Sequence, residues 1–410
     1  MKVTIVIPSY WARESKVGWL EGDTIYDHPT PLDAKGTLLR TIQSTEILNV
    51  TDFQLVVIAI ATASDIESRV EQRVSDIVKA TSAKTGVKVL SFGTSHLKQI
   101  NNLLVNTGKE DYSGLLRLRG YSDVRNMCMF IPHILDSEVA VLIDDDEVFE
   151  DPQFMSKAKE FIGKEIDGRT VNAIAGYYLQ PDGDFHIRRP LRPWEKAWGQ
   201  YTAMNEAFDR FIASEPRLKE VPFVFGGNMV IHRNLFTVVP FDPNITRGED
   251  IDFLINARMF GFTFFLDNQL SIKHLPPPKA HPSWLQLKQD IHRFIYEKAK
   301  IDNQKQVKYM KRVHIEDLDP YPGCFLKDDL EERIERSCQL LSEEYASRGD
   351  KQGAAQALNN IAFARADAVP KYDPFRHICQ TQRRWKELMR HTAKREVRLR
   401  MKEIIEGKQQ

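Results

Sequence analysis

The chain has 410 residues, with 57 Lys+Arg against 57 Asp+Glu, 42% hydrophobic and 28% charged residues. These are globular proportions that argue against wholesale disorder, and a net charge of zero gives no global basic field of the kind nucleic-acid proteins use. Four cysteines (Cys128, Cys324, Cys338, Cys379) lack metal or disulfide-scaffold spacing, the opening MKVTIVIPSY is too short for a signal peptide, and the longest aliphatic run, Leu55 to Ala61, falls far below a membrane span. The expectation is a soluble, cytoplasmic protein with one large domain and an accessory region.

Val3–Ile7 is a β-branched run that predicts a buried strand, ended by Pro8-Ser9. A helical pattern around Leu38, Leu39, Ile42 and Ile47 follows, then a strand at Leu55–Ala61, an amphipathic segment from Ile66 to Ala80 and a strand at Val87–Phe92. A helix over Ser122–His133 precedes the strand Val139–Ile143, which runs into Asp144-Asp145-Asp146. This alternation predicts an α/β fold with a mainly parallel sheet flanked by helices, and ligands at the carboxyl ends of its strands. Further strands are expected at Val171–Tyr178, Phe223–Ile231, Phe262–Leu266 and Leu270–Lys273. Arg188–Phe211, with Trp194, Trp198 and Tyr201, reads as an excursion over a cleft or a lid. From Trp284 onward the pattern is helical, with Leu330, Ile334, Cys338 and Leu341 at helical spacing and Asp350–Gly353 joining two antiparallel helices.

Asp144 and Asp146 point the same way from an extended segment while Asp145 faces elsewhere. Clustered carboxylates repel unless solvent, basic partners or a cation compensates, and oxygen ligands suit Mg2+ or Mn2+. Gly248-Glu249-Asp250-Ile251-Asp252 opens a helix, where acids satisfy the dipole or, in a cleft, supply a general base in Glu249 or Asp250. Gly226-Gly227-Asn228 either marks a bulge or lets backbone approach a ligand closely. His274 ends a strand beside the acidic cleft, packed or ligating. Arg125 sits in a first helical turn against the dipole preference, so a partner such as a diphosphate or the Asp cluster is expected.

The ordered set IPSY, SDVRN, LIDDDEVFED and RGEDIDFLINARMFG followed by His274 resembles the nucleotide-sugar-dependent glycosyltransferases of the GT-A fold, especially the family 2 group. The resemblance spans residues 1–280, with 281–410 as a helical accessory region. It implies a Rossmann-like GT-A domain that transfers one sugar, a hexosyl group, from a UDP- or GDP-sugar to an acceptor hydroxyl with Mn2+ or Mg2+. Pro8, Ser9, Tyr10, Asp65, Arg125, Asp144, Asp145, Gly227 and Asn228 are implied donor-binding residues. Asp144, Asp146 and His274 are implied metal ligands, and Asp250, with Glu249 beside it, the base of an inverting reaction. A retaining transferase making a small glycoside such as a glycosylglycerate, or a non-catalytic sugar-binding scaffold, is the alternative. Asp65 stands where the family grips the base, and Gln382-Arg383-Arg384-Trp385 lacks the spacing of processive synthases. The acceptor is expected to be a small molecule, a glycan or a lipid-linked group, with no nucleic acid. Residues 371–410 are basic and amphipathic, able to dock on the catalytic domain, pair with a second subunit or lie on an anionic membrane.

Overall fold

The computed structural model describes residues 1–85, 87–279 and 281–408; the expected boundary at residue 280 and the last two residues lie outside the described residues. The strands are β1 (Val3–Ala12), β2 (Thr30–Pro31), β3 (Gln54–Ala61), β4 (Val89–Phe92), β5 (Val139–Leu142), β6 (Glu147–Val148), β7 (Glu165–Ile166), β8 (Arg169–Thr170), β9 (Ala173–Leu179), β10 (Leu218–Glu220), β11 (Met229–His232) and β12 (Phe264–His274). The helices of the sheet region are α1 (Leu38–Ser44), α2 (Glu67–Thr85), α3 (Thr94–Asn106), α4 (Tyr121–Ile134), α5 (Phe154–Phe161), α6 (Pro193–Trp198), α7 (Gln200–Phe211), α8 (Arg233–Phe236) and α9 (Glu249–Met259). The helices α10 (Ser283–Asp302), α11 (Leu330–Ser347), α12 (Lys351–Arg365), α13 (Pro374–Thr392) and α14 (Arg395–Ile405) complete the chain.

The main sheet runs β10-β12-β9-β11-β5-β1-β3-β4, with β2 beside β1 and β6 beside β12. β4, β3, β1 and β5 are mutually parallel, β11 runs antiparallel between β5 and β9, and β12 is parallel to β9. The predicted class, α/β with a mainly parallel sheet and a helical C-terminal region, is the one observed. β1 is buried along nearly its whole length because helices cover both faces, which is why it reads as an unbroken apolar run.

Some boundaries differ from expectation. β1 does not stop at Pro8 but continues to Ala12. The carbonyl of Val6 accepts from Ile143 N–H, so alternate residues of β1 face β5, and Pro8 falls beyond the last pair, Val6 with Leu142. Its missing N–H therefore costs no ladder bond. The two strands expected between Phe262 and Lys273 are one, β12, bent where its register on β9 shifts between Leu266 and Ser271. Of Phe223–Ile231 only the end is a strand; the stretch before Met229 leaves the sheet. α3 carries no expectation from the sequence.

The helices past residue 280 share one hydrophobic cluster with the sheet: Phe294, Phe325, Leu341, Trp385 and Met401 pack in the same cluster as Leu142, Met229 and Phe253. The Trp385 indole N–H donates to the Phe236 carbonyl at 2.9 Å, pinning α13 to α8. The apolar stripe of the basic tail is therefore occupied by this chain's own core, through Trp385, Leu388, Met389, Val397, Met401 and Ile405, and does not face a membrane. Among the described residues no helix is long and apolar enough to cross one.

α9 is tied to α10 by Lys300, whose fully buried ammonium lies 3.0 Å from Asp242 and 2.5 Å from Asp252, with Asn256 at 3.1 Å. Replacing it with Met would leave two buried carboxylates without their cation, a change that costs about 3–5 kcal/mol. Lys300→Met is expected to lose that much in urea unfolding; a loss under about 1 kcal/mol would show that the triad holds nothing.

Candidate functional site

A cleft of about 480 Å³ opens at the carboxyl ends of β1 and β5. Four segments supply its walls: Tyr10 from β1, Asp144–Asp146 after β5, Gly226 with the start of α9, and His274 at the end of β12. The last arrives there because β12 pairs with β6, setting His274 opposite Glu147, and because Leu275 N–H donates to the Asp146 carbonyl. α7 and the loop before α6 close one side with Arg189, Tyr201, Met204 and Phe208. Trp194 and Trp198 are buried, so they pack the wall from behind, while Tyr201 faces the cleft with the Arg189 guanidinium 4.6 Å from its ring centre.

Arg125 is the hub. Its guanidinium forms a two-pronged pair with Asp144 (2.8 and 3.1 Å) and its Nε lies 3.1 Å from Glu249. Buried at 2% exposure, it joins two acidic motifs that are a hundred residues apart in sequence. Burial and the charge of Asp250 push Glu249 up to about 7, with Arg125 acting in the opposite direction. Burial likewise raises Asp250, although its two oxygens accept the N–H groups of Gly226 (3.0 Å) and Ile251 (2.8 Å). Those bonds aim the carboxylate while leaving a lone pair on each oxygen for the cleft.

Asp146 and His274 stand together, Oδ2 to Nε2 at 3.4 Å, and the imidazole stacks on Tyr178 with ring centres 4.9 Å apart. Ligands at adjacent positions of an octahedral ion with bonds of about 2.1 Å stand about 3 Å apart, so this pair is spaced to share one divalent cation. Among the described residues no group of three or more His, Cys, Asp or Glu side chains is placed to hold a metal ion. Asp146 and His274 are the two candidate ion donors that the cleft brings together. Asp144, expected beside them as a ligand, is engaged by Arg125 instead.

Other expected donor-site residues lie behind the cleft. Pro8 and Ser9 are buried; Ser9 Oγ donates to Asp145 at 2.6 Å and accepts from the Trp11 indole at 2.8 Å. Asp145 reaches the cleft wall but is fixed by Ser9, and burial together with Asp146 holds its carboxyl well above the usual carboxylate range. Asn228 is fully buried and its amide donates to the carbonyls of Tyr177 and Leu270, so it joins β9 to β12 and stands outside the cleft lining. Asp65 is exposed and paired to Arg13, outside the cleft lining. Gly227 lines a close approach: its N–H donates to the Tyr178 hydroxyl, and a Cβ there would lie 2.2 Å from Glu147 Oε1.

Behind the cleft lies Glu147 of the acidic cluster, and the cleft residues Arg247, Gly248, Arg293 and Tyr321 were given no role from the sequence. Glu147 is fully buried, accepts from Asp144 N–H, and is pushed well above the carboxylate range by burial and by Asp144. Arg247 bridges Asp27 (2.8 Å) and Asp290 (2.6 Å), and Arg293 reaches the Tyr321 hydroxyl at 2.5 Å. Gly248, at φ 70°, makes room for Arg293, whose NH1 would sit 1.5 Å from a Cβ. The local signal for Arg247 was its place immediately before the acidic helix start; Arg293 comes from α10 and Tyr321 from a turn after it, and they leave none.

No family model matches the chain, and no curated protein matches it. Solved structures do. A mannosyltransferase from Pyrobaculum calidifontis in complex with GDP-Man and Mn2+ is 12% identical with a TM-score of 0.45, covering 96% of this chain and 87% of its own. GalNAc-T7 with UDP, GalNAc and Mn2+ is 13% identical at a TM-score of 0.39, over 85% of this chain and 57% of its own. A mycobacterial protein is 14% identical at 0.38, over 72% and 74%. At TM-scores below 0.5 these likenesses carry no weight for the chemistry of this chain, which has to come from the cleft.

Gly227→Ala tests the packing on Glu147. Overfilling a site of this kind costs about 1–3 kcal/mol, and the variant is expected to melt several degrees lower. An unchanged melting temperature would mean that the loop has room to spare.

Proposed function

We propose that this chain is a GT-A glycosyltransferase that moves one sugar, a hexosyl group, from a UDP- or GDP-sugar to an acceptor hydroxyl with inversion, using Mn2+ or Mg2+. One observation supports this above others: an ion-spaced Asp146–His274 pair, a buried Arg125 and a backbone-aimed Asp250 line the same cleft. Binding-only scaffolds have no need of a raised carboxylate held in place by two N–H groups.

Asp146 and His274 would hold the divalent ion, which when bound neutralises charge on the diphosphate. Arg125, paired with Asp144 and Glu249, would hold the donor side in place beside Asp250 as the bond from the anomeric carbon to the diphosphate oxygen breaks and the electron pair leaves with the phosphate. Tyr10 and Asp144 shape the donor side. Asp250 takes the proton of the acceptor hydroxyl as that oxygen bonds to the anomeric carbon, and its raised proton affinity suits the task. Glu249, held by Arg125, stays close behind it. Arg189, Tyr201, Met204 and Phe208 form the acceptor side.

Asp250→Asn is expected to lower kcat about 10²–10⁴-fold while leaving nucleoside diphosphate binding measurable by calorimetry. Transfer at near wild-type rate would remove Asp250 from the mechanism. Because the base must be ionised and burial raises Asp250, kcat/KM is expected to rise with pH along an acid limb that lies above the usual carboxylate range. A profile flat from pH 5 to 8 would contradict that role. Asp146→Ala is expected to abolish Mn2+-dependent binding of the nucleoside diphosphate.

A further inference from the structure

A strap of residues 180–189 leads from the end of β9 towards α6, and three of its residues, Gln180, Ile187 and Arg189, line the cleft. It is fastened to α7 at two points. Asn205 takes both backbone groups of Ile187: its Oδ1 accepts the N–H at 2.9 Å, and its Nδ2 donates to the carbonyl at 3.2 Å. The other point is His186. Its Nε2 lies 2.8 Å from Asp209 Oδ1 on α7, and its Nδ1 lies 2.7 Å from Asp184 Oδ1 on the strap itself.

The two fastenings differ in kind. An amide holds Ile187 at any ordinary pH, whereas an imidazole between two carboxylate oxygens donates to both only as the imidazolium cation. Burial works against that cation, but Asp209 and Asp184 outweigh it and raise the imidazole above the ordinary histidine value. Arg188, also on the strap, is engaged by Asp184 Oδ2 at 2.7 Å. When the proton leaves, one carboxylate is left facing a bare lone pair. Asp184 keeps its other ties, since its Oδ1 also accepts the His186 backbone N–H at 2.8 Å and its Oδ2 holds Arg188. Asp209 is exposed and can turn into water. The bond given up is therefore the one that joins the strap to α7.

We infer that His186 is a pH-sensitive clasp that fastens this strap to α7 and so keeps one wall of the cleft closed. The clasp concerns the wall alone and does not depend on the reaction proposed above. A histidine raised in the folded state contributes its full stability below the unfolded value, about 6.5, and loses it as pH rises through the higher folded value. The strap is thus held in mild acid and loosened in mild base.

Hydrogen exchange of peptides covering residues 180–189, read by mass spectrometry and corrected for the intrinsic pH dependence of amide exchange, tests this. In the wild type, exchange is expected to quicken about two- to fivefold between about pH 5.5 and about pH 8.5, the scale of one exposed ion pair. His186→Gln and, separately, Asp209→Asn are expected to exchange at rates that no longer change with pH. The imidazole itself, assigned by NMR against His186→Gln, is expected to titrate above about 6.5. Wild-type exchange that is flat across the range, the same quickening in either variant, or a His186 that titrates at or below about 6.5 overturns the clasp.

Discussion

A guanidinium buried between two carboxylates is stable only as long as both stay with it. Arg125 faces Asp144 on one side and Glu249 on the other, and desolvation would expel any one of the three if it stood alone. This contact therefore fixes where α4, the turn after β5 and the start of α9 lie relative to one another. The remaining cleft geometry follows. With α9 held, Asp250 can accept the Gly226 N–H, and with the turn after β5 held, Asp146 meets His274 at the end of β12.

The C-terminal helices form the back wall of the same arrangement. Lys300 on α10 neutralises Asp242 and Asp252 beneath α9, and Arg293 fits against Gly248 at its N-terminus. The acidic start of α9 is thus compensated from two sides, by Arg125 from α4 and by α10 from behind. A chain that is neutral overall keeps its opposite charges in contact where burial makes each unpaired charge expensive.

Much of the frame was legible in the sequence because parallel strands buried on both faces leave unbroken apolar runs, as at Val3–Ile7 and Val139–Ile143. The acids were legible because carboxylates at strand ends and helix starts are conspicuous. What escaped depends on register and on distant partners. Pro8 looks like a strand end until the side on which it lacks an N–H is known to fall beyond the last β5 pair. Leu266 and Leu270 look like members of two strands because a bulge separates them. Asn228 beside two glycines looks like a ligand contact, yet it stitches β9 to β12. Nothing local in α10 announces that Arg293 reaches the cleft some forty residues after Asp250 in the chain.

The claim on which all of this turns is that Asp144 and Glu249 belong to one electrostatic unit through Arg125. A double-mutant cycle on unfolding free energy, with Asp144→Asn, Glu249→Gln and the pair, measures it directly. Either single change leaves the guanidinium one carboxylate, whereas the double change leaves it buried with none. The double variant is therefore expected to be less stable than the sum of the singles by about 1 kcal/mol or more. Additivity within about 0.5 kcal/mol would mean that the two acidic motifs are held independently, and that Arg125 does not organise the cleft.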